Sequence, residues 1–125
     1  MKKIETTQAP AAIGPYSQAM VSRGMVYASG QIPVDPGTGE VVENKIEIQA
    51  EQVMKNLGEV LKAAGSSFES VVKTTCFLSD MANFAAFNEV YAKYAVSLPA
   101  RACVEVSALP KGVLVEVECI AEVEE

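Results

Sequence analysis

The amino-acid sequence predicts an α+β domain of two layers, with two helices packed on one face of a mixed sheet. Three observations carry this. Short apolar runs with the two-residue period of strands surround two longer segments whose apolar residues recur every three or four positions. The resulting order is strand-strand-helix-strand-helix-strand-strand, and each helix follows a strand or hairpin from which it can fold back onto a shared sheet. The length, 125 residues, fits a single domain over 1–125 that can bury about two-thirds of the surface of its unfolded chain.

Residues 1–8 can form a short edge strand, after which Pro10, Gly14 and Pro15 keep APAAIGPYSQ irregular. AMVSRG and MVYASGQIPV are apolar runs on either side of Arg23-Gly24, a hairpin in which the glycine supplies a positive φ. DPGTGE at 35–40 is a loop by its turn residues. Between 44 and 64, Ile46, Ala50, Val53, Met54, Leu57, Val60, Leu61 and Ala64 fall on one face of a helix of about five turns. Asn44 is its expected N-cap and Gly65 its C′ residue. SVVKTTCFL at 70–78 is β-branched and apolar, hence a strand. Asp80 is placed to cap a second helix, buried through Phe84, Phe87, Val90, Tyr91 and Tyr94.

The remaining stretch, LPARACVEVSALPKGVLVEVECIA at 98–121, reads as a closing hairpin. In its last strand Val113, Val115, Val117 and Cys119 share one side, while Leu114 and Ile120 interrupt the glutamates on the other. A strand apolar on both sides is expected where both are covered, so the helix-free face of the sheet is expected to be buried against other subunits.

Composition limits the chemistry. The net charge of −6, with ten scattered Lys and Arg, argues against a nucleic-acid surface, which needs a basic face or stripe. There is no histidine, which excludes Ser-His-Asp catalysis, HExxH zinc sites and the usual structural zinc sets. Cys76, Cys103 and Cys119 form no CxxC pair, and each lies in an apolar strand-like run, so buried free thiols in a reducing cytoplasm are expected. No window approaches 18 uninterrupted apolar residues, and PGTGE is neither GxGxxG nor a P-loop. No metal, cofactor or membrane is expected.

A few side chains remain as candidates for chemistry. Arg101, at the start of a strand, is either an exposed strand-end arginine or a carboxylate anchor, since a guanidinium grips a carboxylate through two parallel hydrogen bonds. Glu116 and Glu118 share a strand face, and whichever is enclosed gains a raised pKa and the capacity of a general base; spacing alone does not choose between them. Tyr16 lies in a constrained loop. Ser29-Gly30 closes a strand where the glycine permits close approach of a ligand to backbone. Asn88 is helical, three residues before Tyr91. Cys103 shares a strand face with Arg101 but lacks a base to activate it.

Taken together, APAAIGPYSQA, YASGQIPVDPGTGEVV, VVKTTCFLSDM with FNEVYAKY, and PARACVEVSALPKGVLVEVECIA resemble the RidA family, also called YjgF, in order and over essentially the whole chain. The resemblance implies a chorismate-mutase-like fold assembled as a homotrimer with three clefts between subunits. It implies hydrolysis of reactive 2-imino acids, chiefly 2-iminopropanoate and 2-iminobutanoate formed from dehydratase enamines, to 2-keto acids and ammonia without a cofactor. By motif, Arg101 matches the arginine that binds the substrate carboxylate, and Glu116 the glutamate beside the attacking water. Tyr16, Ser29, Gly30, Asn88 and Cys103 match positions lining the same cleft, some of them supplied by a neighbouring subunit. AKYAVSLPAR is shorter than in many relatives and has Ala95 where an aromatic is common, which implies a different cleft wall and side-chain preference. A non-catalytic module binding 2-keto acids is the alternative, followed by an RNA-directed role, against which the acidic charge counts.

Overall fold

A computed structural model describes residues 1–125. It is α+β, with eight strands and two helices. β1 (Lys2–Ile4), β2 (Ala19–Ser22), β3 (Met25–Gln31), β6 (Val71–Leu78), β7 (Ala100–Glu105) and β8 (Val115–Glu122) form one mixed sheet in the order β1-β2-β3-β8-β6-β7. β4 (Val34–Asp35) and β5 (Glu40–Val41) make a separate small ribbon around the 35–40 turn. Both helices, α1 (Ile46–Ala63) and α2 (Phe84–Tyr94), lie on one face, where a single cluster of 24 buried apolar residues unites them with the sheet.

The local signals explain most of the elements. Arg23 and Gly24 both adopt positive φ, 52° and 78°, between the paired Ser22 and Met25, as a two-residue hairpin turn with right-handed twist requires. The α1 stripe is buried from Ile46 to Leu61, and Gly65 at φ 78° ends the helix: its N–H reaches Lys62 O while that of Ser66 reaches Leu61 O. At the other end the N-cap is Lys45, not Asn44, and no side chain caps it; the backbone is already extended at Lys45, which puts Asn44 one residue too early to bond the first turn. Asp80 caps as expected, but the segment it caps is a 3₁₀ turn at Met81–Asn83 that leads into α2; its Oδ1 accepts from Ala82 N at 2.9 Å.

The closing hairpin does not form. β7 pairs with β6, in parallel, and β8 inserts between β3 and β6, antiparallel to both. Two physical preferences decide this. α2 carries the chain back over the sheet, so the strand after it runs parallel to the strand before it. β8, whose Val115, Val117, Cys119 and Ala121 are all at most 3% exposed, gains most from two neighbours, whereas β7 carries exposed residues at five of six positions and takes the edge. Leu114 N, at the entrance to β8, donates to Gln49 Oε1 of α1 at 2.8 Å and fixes where the strand begins.

The helix-free face is partly apolar and open in the single chain. Tyr27 and Val104, placed on that side by their register with Ile120 and Phe77, are 48% and 44% exposed. No helix is long and apolar enough to cross a membrane.

Candidate active site

Six of the seven residues that the resemblance assigns to the cleft line two shallow concavities, and Cys103 lies beside the second. The first, about 320 Å³, is walled by Tyr16, Ser29, Gly30, Ile32, Pro110 and Glu116. Its floor is a β-bulge. Along β3, Ala28 pairs with Cys119 and Gln31 with Val117, so three steps on β3 oppose two on β8 and an extra residue is accommodated at Ser29-Gly30. The bulge is tied to the loop that carries Tyr16: Ser29 N donates to Gln18 O at 2.9 Å and Ser29 Oγ to Ser17 O at 2.6 Å.

Gly30 and Glu116 are matched to each other. A Cβ at position 30 would overlap Glu116 Oε2 and lie 2.9 Å from its Cδ, so only glycine lets the carboxylate rest against the bulge. Glu116 is half-buried. Burial pushes its carboxyl above the ordinary range, and the charge of Glu118 on the same face pushes it further. Glu118 is exposed. Burial, which the spacing could not supply, thus distinguishes the two glutamates.

The second concavity, about 330 Å³, lies at the sheet edge under α2, where Asn88, Ala95, Leu98 and Arg101 meet. Arg101 Nη1 donates to Asn88 Oδ1 at 2.7 Å, and the guanidinium carbon stands 4.8 Å from the ring centre of Tyr91 and 5.4 Å from that of Phe84. The structure contains three ion pairs, Lys3–Glu5, Lys45–Glu43 and Lys93–Glu51, none involving Arg101. Ala95 is buried, and Leu98, 88% exposed at φ 52°, forms the outer rim beside Pro99.

Cys103 follows on the same side of β7, opposite Cys76 of β6. All three cysteines are free. Burial raises the Cys103 thiol despite the nearby Arg101, and pushes Cys76 and Cys119 up to about 12, so none is a ready thiolate.

The two concavities open on opposite faces. Arg101 registers with Thr74 on the side that carries α2, whereas Glu116 registers with Phe77 on the helix-free side. β6 also separates their strands. One chain therefore brings Tyr16, Ser29, Gly30 and Glu116 together, and Asn88, Arg101 and Cys103 together, but not the two sets. Phe84 and Tyr91 were visible in the sequence only as members of a buried stripe; their i, i+4, i+7 spacing with Asn88 is the signal that puts all three on the Arg101 side of α2.

Residues 6–123 match the family described as Endoribonuclease L-PSP. The chain belongs to this family, that of RidA and YjgF. Among its relatives, a mouse protein named 2-iminobutanoate/2-iminopropanoate deaminase is 54% identical over 96% of this chain and 90% of its own. A Lactococcus lactis protein named as a regulator, AldR, is also 54% identical, over 98% of both chains. Solved structures follow the same backbone: YyfA of Yersinia pestis, of the conserved Rid family, has a TM-score of 0.95 at 54% identity, and Escherichia coli TdcF, crystallised with bound serine, 0.92 at 43%, each covering 98% of both chains. For a RidA-family chain the family descriptions thus include an endoribonuclease, a deaminase and a regulator, and the choice among them rests on the chemistry of the two concavities.

Proposed function

We propose that this protein hydrolyses reactive 2-imino acids, such as 2-iminopropanoate and 2-iminobutanoate, to 2-keto acids and ammonia, in clefts formed where the Glu116 concavity of one copy meets the Arg101 concavity of another in a homotrimer. The observation that supports the proposal is that one chain carries both an arginine whose cationic head is held without an acidic partner and a half-buried carboxylate that rests against the Gly30 bulge with its pKa raised by burial. The mouse relative's name and the amino acid bound to TdcF agree with a small carboxylate-bearing ligand. The partly apolar helix-free face, with Tyr27 and Val104 exposed, gives a surface for the neighbouring copies to cover.

The chemistry needs little from the protein. An imine carbon is already electrophilic, and more so when the nitrogen is protonated. Arg101 holds the substrate carboxylate through the donors that Asn88 leaves free. Glu116 takes a proton from water as the new C–O bond forms at the imine carbon, giving a carbinolamine. From the protonated imine this carbinolamine is neutral. Glu116 then returns the proton to its nitrogen and, as the C–N bond breaks and ammonia departs, takes the hydroxyl proton so that the carbonyl forms, and releases that proton to the ammonia. A carboxyl with a raised pKa is suited to these transfers, since it accepts the proton more readily than an ordinary carboxylate. Held geometry and exclusion of bulk water supply the remainder.

The test adds the protein to a threonine dehydratase reaction. A deaminase accelerates keto-acid appearance beyond spontaneous hydrolysis; no acceleration at any protein concentration overturns the proposal. A second reading, a regulatory module that binds 2-keto acids without turnover, is favoured only by the name of the Lactococcus relative. It predicts binding of 2-oxobutanoate together with a null deaminase assay. An endoribonuclease fits poorly with a net charge of −6 and the absence of histidine.

A further inference from the structure

We infer that Phe84 and Tyr91 are positioning residues that aim the Arg101 guanidinium at the substrate carboxylate, an inference that rests on the role proposed for Arg101 above. Phe84, Asn88 and Tyr91 occupy positions i, i+4 and i+7 of α2, one continuous face, and all three touch the same guanidinium. The Tyr91 ring is itself fixed. Its hydroxyl shares a hydrogen bond of 2.7 Å with the buried Thr74 Oγ1, and Thr74 is the residue of β6 that registers with Arg101 on β7. Strand, helix and edge strand thus close a small circuit around the cation.

The chemical kind of these partners matters more than their number. An aspartate or glutamate in place of either ring would also hold Arg101, but it would consume the paired N–H groups and neutralise the charge that a ligand carboxylate requires. Aromatic faces attract a cation through their quadrupole and take none of its five donors. Only Asn88 Oδ1 takes one, at Nη1. The guanidinium is therefore restrained in position with its charge and most of its hydrogen-bonding capacity intact. Ordering a long side chain in advance removes part of the entropic cost that binding would otherwise carry.

The test measures binding of 2-oxobutanoate and of its neutral amide by calorimetry and compares the two affinities. Only the acid uses the charge of Arg101, so the acid-to-amide ratio reports its aim. Because Tyr91 is buried and Phe84 only partly so, the Phe84→Leu variant is the primary one. Phe84→Leu and Tyr91→Leu should each lower the ratio by roughly three- to tenfold, the range of a cation–π contact, whereas Tyr91→Phe, which keeps the ring, should stay within about twofold. In the deaminase assay the same two leucine variants raise KM and leave kcat nearly unchanged. Equal weakening of acid and amide means that the rings only pack, and overturns the inference while leaving the proposed reaction intact. A wild-type protein that binds acid and amide equally removes the anchor role of Arg101, and the inference with it.

Discussion

The two concavities are almost equal in size, about 320 and 330 Å³, and are built in opposite ways. Glu116 stands on the central strand β8, on the open face of the sheet, against a bulge where only glycine leaves room for its carboxylate. Arg101 stands on the edge strand β7, on the helix face, exposed and held by two rings and one amide. The difference matches what each charge needs. An acid becomes a better proton acceptor when partly withdrawn from water, which a central strand supplies. A guanidinium keeps its charge in any surroundings, so an edge costs it nothing in ionisation and leaves it accessible to a ligand.

The sharpest way to break this contrast is to neutralise each charge in turn. Glu116→Gln is expected to lower kcat in the dehydratase-coupled assay by about 10²- to 10⁴-fold, the usual worth of a general base, with little change in the affinity for 2-oxobutanoate. Its effect on stability has a definite sign. A carboxyl whose pKa is raised in the fold contributes stability below its ordinary pKa and loses it as pH rises through the raised value. Replacing it should therefore raise the melting temperature slightly at neutral pH, with the gain vanishing in acid.

Arg101→Ala should do the reverse. Affinity for 2-oxobutanoate falls by about ten- to a hundredfold, the worth of hydrogen bonds to a charged group, while the melting temperature stays within a degree or two because the head group is exposed. Equal losses of affinity in both variants would erase the distinction between the two halves.

Gly30→Ala isolates the bulge. The added methyl must displace the flexible Glu116 carboxylate and not a backbone atom, so activity should fall roughly tenfold with a nearly unchanged melting curve. A large loss of stability would mean that the glycine serves the backbone and not the carboxylate.

The smallest expected effect concerns Glu118. Its charge adds to the raised pKa of Glu116, so Glu118→Gln should move the acid limb of the pH–kcat/KM profile downward by a fraction of a pH unit without changing the plateau. An upward shift, or a collapsed plateau, would place Glu118 in the chemistry.

These contrasts also explain which features sequence could reveal. Periodicity located α1, α2 and every long strand, because each depends on local alternation and local turn residues such as Arg23-Gly24 and Gly65. Strand neighbours depend on competition among distant partners, and alternation alone makes β7 and β8 a hairpin although β6 lies between them. The same limit governs the site. Alternation places Arg101 with Cys103 and Glu116 with Glu118, but only register across β6 shows that the two pairs leave the sheet on opposite sides. The Asn44 cap failed for a smaller reason, a single residue of extended backbone at Lys45.

Whether two copies complete one site is tested most directly by coexpressing Arg101→Ala and Glu116→Gln chains and assaying the mixed assemblies with threonine dehydratase. Clefts shared between copies predict recovery to about a quarter of wild-type activity at equal expression, since half of the copies offer an intact Arg101 and half of their neighbours an intact Glu116. Mixed assemblies no more active than the two variants kept apart, beside an active wild type, would contradict a shared cleft.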